Sequence, residues 1–263
     1  MTKKRLDILL VEKGLAESRN QAQRMIMAGE VQVNGNTAFK PSEPVVDEAE
    51  ISLKERPPFI SRGGEKLEAA LQAFHLTDLN GRICADIGAS TGGFTDCLLQ
   101  HRAAKVYAID VGYGQLHWKL RNDPRVVVME KTNARELQSL PEEVDMIVVD
   151  VSFISLHTIF PNIKNLMKRD AVNLVTLIKP QFEAGKKEAA RGRGVIHDHA
   201  VHRQVLEHIV QSAQDQGLFL YGLIPSPIKG PKGNIEFLAH FLLKPAEENP
   251  EASIQRVMDI IKE

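Results

Sequence analysis

Apolar runs and polar turns alternate along the chain from residue 61 onward. Short apolar runs predict strands at 83–87, 105–109, 126–129, 146–150, 172–178, 218–224 and 235–243. Apolar residues at helical spacing predict helices at 93–101, 115–121, 134–139, 155–167, 199–213 and 251–262. This alternation is typical of an α/β protein with a doubly wound, mostly parallel seven-stranded sheet. Because no helix separates the last two strands, we expect them to pair antiparallel at one edge.

The beginning of the chain follows a different pattern and is expected to form a separate module. Leucines at helical spacing predict a short helix that ends near Gly14, and a capping-box sequence from Ser18 predicts a second helix. Short strands are predicted at 31–33 and 51–53, with an Asn34-Gly35 turn after the first. These elements predict a small α+β domain of residues 1–53.

A short segment, residues 54–60 (KERPPFI), is expected to link this domain to a second domain of residues 61–263. Pro57-Pro58 cannot continue a helix and prefers an extended conformation. We therefore expect the linker to hold the two domains within a limited range of angles.

The composition is that of an ordinary globular protein, with 43% hydrophobic and 25% charged residues. The net charge of −1 means that nucleic-acid binding would depend on local patches. Cys84 and Cys97 resemble small core residues, which suits a reducing cytoplasm. The sequence lacks a signal-peptide pattern, a membrane-spanning apolar run and metal-spaced Cys/His residues. We expect a cytoplasmic protein without a membrane segment, a metal or an obligatory protein partner.

The segment 83–94, ICADIGASTGGF, combines a strand, a glycine-rich turn and the start of a helix. Asp86 ends the strand, and the glycines remove side chains where a ligand could approach the backbone. The G-x-x-x-G-G spacing differs from the G-x-G-x-x-G of dinucleotide sites, and no Gly-Lys-Ser/Thr follows, which disfavours a pyrophosphate or triphosphate. An ordinary strand-to-helix turn is the alternative to a ligand-binding loop.

Asp110 supplies a second acid at the end of the next strand. It follows Asp86 by 24 residues, close to the roughly 20-residue spacing at which a carboxylate faces a ribose diol. The D-x-G-x-x-x-G-G-F string resembles the loop beneath the amino-acid end of S-adenosylmethionine in Rossmann-like methyltransferases. The resemblance implies S-adenosylmethionine as cofactor, with contacts from Asp86, Gly88, Ser90, Gly92, Gly93, Phe94, Asp110, Val111, Asn133 and Asp150.

Three charged residues lie at the ends of apolar strands or within them. Asp150 ends DMIVVD, Lys179 follows AVNLVTLI, and Glu236 lies in NIEFLAHFLL. Because parallel strands end at the ligand crevice of a doubly wound sheet, Asp150 and Lys179 are expected to converge there. A lysine at the end of a buried strand is costly unless a carboxylate pairs with it. A salt-bridge network without a catalytic role is the alternative interpretation.

Lys66, in the first turn of a preceding helix, completes a Lys–Asp–Lys–Glu set. The strings SRGGEKL, VVDVSF, LIKPQF and GNIEFL resemble the catalytic tetrad of FtsJ-type RNA ribose 2′-O-methyltransferases. The resemblance implies that the catalytic residues are Lys66, Asp150, Lys179 and Glu236. We assign Lys179 as the base or hydroxyl-orienting group, with Asp150 orienting it and lying nearest the sulfonium. Lys66 and Glu236 then set the charge balance and hold the ribose.

The first domain resembles the S4-type RNA-binding domain in the strings KRLDILLVEKG and SRNQAQRMIMAGEVQVNG. Together the domains resemble the hemolysin A (TlyA-type) family of ribosomal RNA 2′-O-methyltransferases over almost the whole chain. The linker departs from the commonest family pattern, which has an aromatic residue near Pro58. The resemblance implies ribosomal RNA and ribosomal subunits as partners, with a cytidine as the target.

Basic residues are expected to hold RNA phosphates, which positions RNA without reading its sequence. The S4 resemblance implies such contacts from Arg5, Arg19 and Arg24. In the second domain the candidates are Arg62, Lys186, Lys187, Arg191 and Arg193, four of them in the glycine-rich basic segment 183–198. The alternatives are a solvated helix face for the arginines and a mobile solvated loop for the segment.

Other activities fit the sequence less well. Carbon-5 methylation of cytosine would need a cysteine at the carboxyl edge of the sheet, where neither cysteine is expected. Amino-group methyltransferases usually carry Asn/Asp-Pro-Pro-aromatic where this chain reads Asp150-Val151-Ser152-Phe153. A non-catalytic assembly factor that binds S-adenosylmethionine and RNA is disfavoured by the intact tetrad. A cytolysin is disfavoured by the lack of secretion and spanning segments.

Overall fold

The computed structural model describes residues 3–54, 57–168 and 171–262, apart from the side chains of residues 186, 187 and 189. The chain divides into two units, Met1–Pro57 and Pro58–Glu263. The predicted linker, 54–60, includes residues 55–56, which lie outside the described residues. Its last part belongs to the second unit, where Phe59 is buried and the Ile60 N–H donates to the Asp96 carboxylate at 2.9 Å.

The first unit is a small α+β fold built around two helices. Its elements are β1 (Lys3–Arg5), α1 (Leu6–Glu12), α2 (Arg19–Met27), β2 (Val31–Val33), β3 (Asn36–Ala38), β4 (Pro44–Val46) and β5 (Ile51–Leu53). Leu6, Leu10 and Ile26 are fully buried between the helices and the strands. Ser18 caps α2 as predicted, because its side chain accepts a hydrogen bond from the Gln21 N–H.

Short antiparallel ladders complete this unit. β2 pairs with both β3 and β5, and β1 pairs with β4. The predicted Asn34-Gly35 turn joins β2 to β3, and both residues have positive φ, 49° and 77°, as a two-residue hairpin requires. The sequence does not predict β1, β3 or β4, because KKR, NTA and PVV lack the apolar–polar–apolar alternation of the VQV in β2 and the ISL in β5.

The second unit contains a seven-stranded sheet and eight helices within the described residues. Its strands are β6 (Ile83–Ile87), β7 (Lys105–Ile109), β8 (Val126–Met129), β9 (Met146–Val149), β10 (Asn173–Ile178), β11 (Phe219–Pro225) and β12 (Phe237–Leu242). Its helices are α3 (Gly63–Ala73), α4 (Gly93–Gln100), α5 (Trp118–Arg121), α6 (Leu156–Leu166), α7 (Pro180–Glu183), α8 (Gly185–Arg191), α9 (His199–Asp215) and α10 (Pro250–Ile260).

The strand order is β11-β12-β10-β9-β6-β7-β8. β12 pairs antiparallel with both of its neighbours, and the described pairs among β10, β9, β6, β7 and β8 are parallel. The mostly parallel sheet and the antiparallel pairing of the last two strands are therefore confirmed. The chain passes from β6 outward to β8 and then returns to β9 on the other side of β6. This reversal opens a crevice at the carboxyl ends of β6 and β9.

Two predicted segments differ from the structure. The helix predicted at 134–139 is wrong, because the segment forms only a turn after Asn133, whose side chain accepts from the Arg135 N–H. The basic segment 183–198 contains the short helix α8 in addition to loop residues. This segment has too few apolar residues to form a helical stripe, so the sequence predicts a loop.

Apolar side chains cover both faces of the sheet. Successive strand residues point to opposite faces, so Ile147 packs into one apolar layer and Val148 into the other. The first layer includes Phe160 of α6 and Leu206 of α9, and the second includes Leu67 of α3. Among the described helices, none has the length and apolar character needed to traverse a bilayer.

The start of α3 packs closely on Phe59, which gives a stability prediction. A Cβ added at Gly64 would overlap the Phe59 side chain, whereas one at Gly63 would meet its nearest neighbour, Ser61 Oγ, at 3.4 Å. Gly64→Ala should therefore lower the free energy of unfolding by about 1–3 kcal/mol, measured by urea denaturation. Gly63→Ala is the matched control and should be neutral or stabilising by up to about 1 kcal/mol. Equal stability of the two variants would contradict this packing.

Candidate active site

A cavity of about 660 Å³ opens at the carboxyl edge of the parallel strands. Loops that follow β6, β9 and β10 form much of its wall, together with the start of α3 and the segment before β12. The predicted residues that line it are Arg62, Lys66, Gly88, Ser90, Gly93, Phe94, Asp150, Lys179 and Glu236. All four residues of the predicted tetrad therefore face one cavity.

The strand directions explain why these four residues meet. Asp150 and Lys179 directly follow the parallel strands β9 and β10, so both lie at the carboxyl edge. Glu236 directly precedes β12, and the antiparallel register pairs Ile178 with Phe237. The beginning of β12 therefore lies beside the end of β10. This reversal brings Glu236 to the same edge as Lys179, although the sequence placed it within a strand.

The tetrad forms two ion pairs of different burial. Lys179 Nζ lies 2.5 Å from Asp150 Oδ1 and donates to Ser152 Oγ at 2.9 Å. Lys66 Nζ lies 2.5 Å from Glu236 Oε2, and the Glu236 side chain is 1% exposed. Gln181 Nε2 donates to the other Glu236 oxygen at 3.1 Å. The Lys66–Glu236 pair is thus the more enclosed, while the Lys179–Asp150 pair retains access to the cavity.

The glycine-rich loop after β6 lies against the end of β9. Gly88 has a φ of 90°, and a Cβ there would collide with the Asp150 carbonyl oxygen. The Ser90 N–H donates to Asp110 Oδ2 at 2.8 Å, and the Gly112 N–H donates to Asp110 Oδ1 at 2.6 Å. A carboxylate has about four lone-pair positions, so Asp110 can still accept from a ligand while the two amides fix its orientation.

Asp86 and Gly92 support the loop from beneath and do not line the cavity. Asp86 is fully buried and accepts a hydrogen bond from Thr95 Oγ1 at 2.6 Å, while its Oδ1 finds no partner among the described residues. Burial raises the pKa of Asp86 to about 7, against the opposing effect of the Thr95 hydrogen bond. A Cβ at Gly92 would collide with Leu120. Asp86 and Gly92 therefore make structural contacts in this fold, and their expected cofactor contacts stay predictions.

Val111 and Asn133 lie next to Asp110 at the sheet edge, outside the cavity lining. Val111 follows Asp110 and is 71% exposed. Asn133 follows Thr132, whose N–H donates to the Asp110 carbonyl at 2.9 Å. Both could contact a ligand that extends from the cavity past Asp110, but the Asn133 side chain already bonds to the Arg135 N–H and to Glu136.

Two aromatic residues missed by the sequence analysis stand at the cavity. Phe153 is 90% exposed and has a φ of 64°, and its ring lies 4.9 Å from the Phe182 ring. Both rings line the cavity. A sequence signal exists, because each phenylalanine follows a tetrad residue by three positions, Asp150 in one case and Lys179 in the other. Gln181 and Lys232 also line the cavity and were missed.

Two of the three predicted RNA-binding arginines of the first unit share a buried carboxylate. Asp7 is fully buried and accepts hydrogen bonds from Arg5, Arg19 and Gln23 at 2.7–3.0 Å. The Arg5 guanidinium, with Gln23 and Arg19, holds the pKa of Asp7 well below its usual range, against the effect of burial. The two guanidinium groups are therefore fixed in place, whereas Arg24 is exposed.

The predicted basic residues of the second unit are differently placed. Arg62 lines the cavity. Arg191 is exposed and lies 3.3 Å from Glu188, and Arg193 is exposed with a φ of 51°. The side chains of Lys186 and Lys187 lie outside the part of the chain that the structure describes.

Each of the two units matches a known protein family. A family described as FtsJ-like methyltransferase matches residues 59–242. A second, described as S4 domain, matches residues 4–51. Together the two matches span nearly the whole chain.

Individual relatives match over comparable lengths. The chain is 47% identical to the 16S/23S rRNA (cytidine-2′-O)-methyltransferase TlyA of Mycobacterium tuberculosis, covering 89% of this chain and 87% of the relative. It is 44% identical to Hemolysin A of Brachyspira hyodysenteriae, covering 91% of this chain and 100% of the relative. A solved structure described as a hemolysin from Streptococcus thermophilus is 44% identical to this chain, with a TM-score of 0.75. The match covers 100% of this chain and 96% of the solved one.

The buried carboxyl of Asp86 predicts a pH-dependent stability. Its pKa of about 7 in the fold exceeds the roughly 3.9 of an unfolded Asp, so only the folded state holds this proton between those values. The stability that the protonated Asp86 carboxyl adds to the fold is fully present below about pH 4 and is lost as the pH rises through about 7. The unfolding free energy of the wild type, relative to Asp86→Asn, should fall by about 2 kcal/mol between pH 5 and pH 8.

Urea denaturation at several pH values measures this difference. Thr95→Val keeps the carboxyl group and should retain the pH dependence, which makes it the matched control. If the unfolding free energy of the wild type minus that of Asp86→Asn stays constant or grows with pH, the pKa of Asp86 is not raised in the fold.

Proposed function

The chain belongs to the TlyA/hemolysin A family of rRNA 2′-O-methyltransferases with S4 and FtsJ-like domains, and from that membership we propose its reaction. The chain transfers a methyl group from S-adenosylmethionine to the 2′-hydroxyl of a cytidine ribose in ribosomal RNA. The observation that carries this proposal is the pair of Lys–carboxylate ion pairs in one cavity beside the glycine-rich loop. Ribosomal RNA is the partner that the similarity to the rRNA methyltransferase of Mycobacterium tuberculosis supports, together with the S4 match.

The residues around the loop fit S-adenosylmethionine. Gly88 lets the loop pack against the Asp150 carbonyl oxygen, and Asp110 is oriented by two amides with acceptor capacity left for ribose hydroxyls. Ser90 and Phe94 line the cavity, whereas Asp110 and the exposed Val111 lie outside its lining. When bound, S-adenosylmethionine supplies an electrophilic methyl group. The chain has to place a ribose hydroxyl in line with that methyl group, which is largely a positioning problem.

Lys179 is the residue best placed to manage the ribose proton. Its Nζ lies at ion-pair distance from Asp150 and donates to Ser152 Oγ. Lys179 also lines the cavity, where the ribose hydroxyl would lie. In its neutral amine form, Lys179 would accept the hydroxyl proton while the oxygen–carbon bond forms and the methyl–sulfur bond breaks, which leaves S-adenosylhomocysteine. Asp150 fixes the direction of the lysine and offsets the positive charge that results.

Lys66 and Glu236 act by holding the substrate side of the cavity. Their ion pair occupies Glu236 Oε2, and Gln181 Nε2 occupies the other oxygen. This fixes the Gln181 amide at the cavity wall, with its buried Oε1 turned away from solvent.

The aromatic pair provides a surface for the target base. Exposed aromatic rings bind unstacked bases by stacking, worth about 1–3 kcal/mol per base. Phe153 and Phe182 line the cavity that contains Lys179, so a base stacked there would bring its ribose toward the tetrad. The arginines held by Asp7 in the S4 unit would supply phosphate contacts elsewhere on the RNA.

Substitution of Lys179 tests the proposed reaction. Lys179→Ala should leave the affinity for S-adenosylmethionine nearly unchanged, because the lysine contacts the substrate hydroxyl. The single-turnover rate of methyl transfer should fall about 100-fold or more, the range for a positioned acid–base group. Lys179→Arg should not restore the rate, because guanidinium stays protonated and has a different shape.

Lys232→Ala is the matched control for this experiment. Lys232 also lines the cavity but is exposed and belongs to neither ion pair of the tetrad. Its removal should weaken RNA binding while the rate at saturating RNA stays close to that of the wild type. Full activity of Lys179→Ala would remove this lysine from the mechanism. Binding of S-adenosylmethionine and RNA without any transfer by the wild type would favour an assembly factor.

A further inference from the structure

A second group of ligand-forming side chains lies where α3 packs against α4. Cys97 and His101 are four residues apart on one face at the end of α4, and Glu68 faces them from α3. One donor atom from each residue lies within 4.8 Å of the other two. None of the three lines the catalytic cavity. The group is therefore separate from the proposed reaction.

The distances are close to those of a metal site. Glu68 Oε2 lies 2.6 Å from His101 Nε2 and 3.7 Å from Cys97 Sγ. Around a tetrahedral Zn²⁺, with bonds of about 2.0–2.3 Å, neighbouring donor atoms lie roughly 3.3–3.7 Å apart. The Cys97–Glu68 separation already matches this spacing. The carboxylate and imidazole need only move apart by about 1 Å to admit the ion.

Outer hydrogen bonds aim two of these side chains at a common point. His101 Nδ1 lies 2.8 Å from the Thr77 carbonyl oxygen, so this nitrogen carries the hydrogen and Nε2 points toward Glu68 and Cys97. Gln72 Nε2 donates to the other Glu68 oxygen at 2.6 Å. Metal-binding histidines almost always donate their second N–H to a carbonyl or carboxylate, and ligating carboxylates are likewise hydrogen-bonded. These contacts are independent of the spacing among the three donors.

A surface groove gives access to the group from solvent. Glu65, Glu68, Gln72, Gln100 and His101 line this groove, and Cys97 is fully buried behind them. An ion entering from the groove would meet Glu68 and His101 first and would keep room for a water molecule. Burial raises the pKa of the Cys97 thiol, so a bound cation is needed to hold it as the thiolate.

We propose that Glu68, Cys97 and His101 bind a divalent transition-metal ion of the zinc class, with water in the fourth position. Sulfur, nitrogen and oxygen donors together suit Zn²⁺, whereas Mg²⁺ and Ca²⁺ prefer oxygen donors alone. The ion would join α3, which carries Lys66, to α4, which begins at the glycine-rich loop. It acts as a structural clamp behind the active site. The sequence does not reveal this site, because Glu68 lies 29 residues before Cys97 and no local spacing motif includes both.

Titration of the reduced, metal-free full-length protein with Co²⁺ tests the proposal. A Co²⁺–thiolate bond produces a charge-transfer absorption band in the near ultraviolet, which should saturate at one ion per chain. Cys97→Ser should abolish the band. His101→Ala should weaken Zn²⁺ binding at least tenfold in competition against Co²⁺ and should remove the rise in melting temperature that Zn²⁺ gives the wild type.

Cys84→Ala is the matched control, because Cys84 is the second of the chain's two cysteines and lies buried in β6. It should leave the band and the stoichiometry unchanged. The absence of a thiolate band in the wild type would overturn the proposal. A band that survives Cys97→Ser, or one that depends on Cys84, would also overturn it.

Discussion

The buried ion pair between Lys66 and Glu236 is the interaction on which the geometry of the proposed active site depends. Removing one partner of such a pair leaves an uncompensated buried charge and typically costs about 3–5 kcal/mol. The pair joins α3 to the start of β12 and fixes Gln181 through the second Glu236 oxygen. The Lys179–Asp150 pair beside it is more exposed and can meet a substrate. In the proposed reaction, the Lys66–Glu236 pair therefore shapes the cavity while the Lys179–Asp150 pair manages the ribose proton.

The antiparallel direction of β12 makes this arrangement possible. In a wholly parallel sheet, a residue that precedes a strand would lie at the opposite edge from residues that follow strands. Because β12 runs against β10, Glu236 begins its strand beside Lys179, which ends the neighbouring one. Asp150 reaches the same edge from β9, and the glycine-rich loop faces it from β6. The fold thus concentrates charged groups from several strands around one cavity.

The sequence predicts this site well where charge interrupts an apolar strand, as at Asp150 and Lys179. It predicts less where packing decides the outcome. Asp86 lies near the carboxyl end of β6 as expected, but its side chain turns beneath the loop toward Thr95, a direction that depends on where α4 packs. The helix expected at 134–139 gives way to a turn because the Asn133 side chain competes for the backbone amides. Phe153 was missed because exposed aromatic residues carry no periodic signal.

The position of the transferred methyl group tests the central claim most directly. Ribosomal RNA should be incubated with the enzyme and labelled S-adenosylmethionine, and then hydrolysed with alkali. Methylation of the 2′ oxygen prevents that oxygen from attacking the neighbouring phosphate, so the label should remain in an alkali-resistant dinucleotide that begins with cytidine. Label released as an ordinary mononucleotide would contradict the assignment of these ion pairs to ribose methylation.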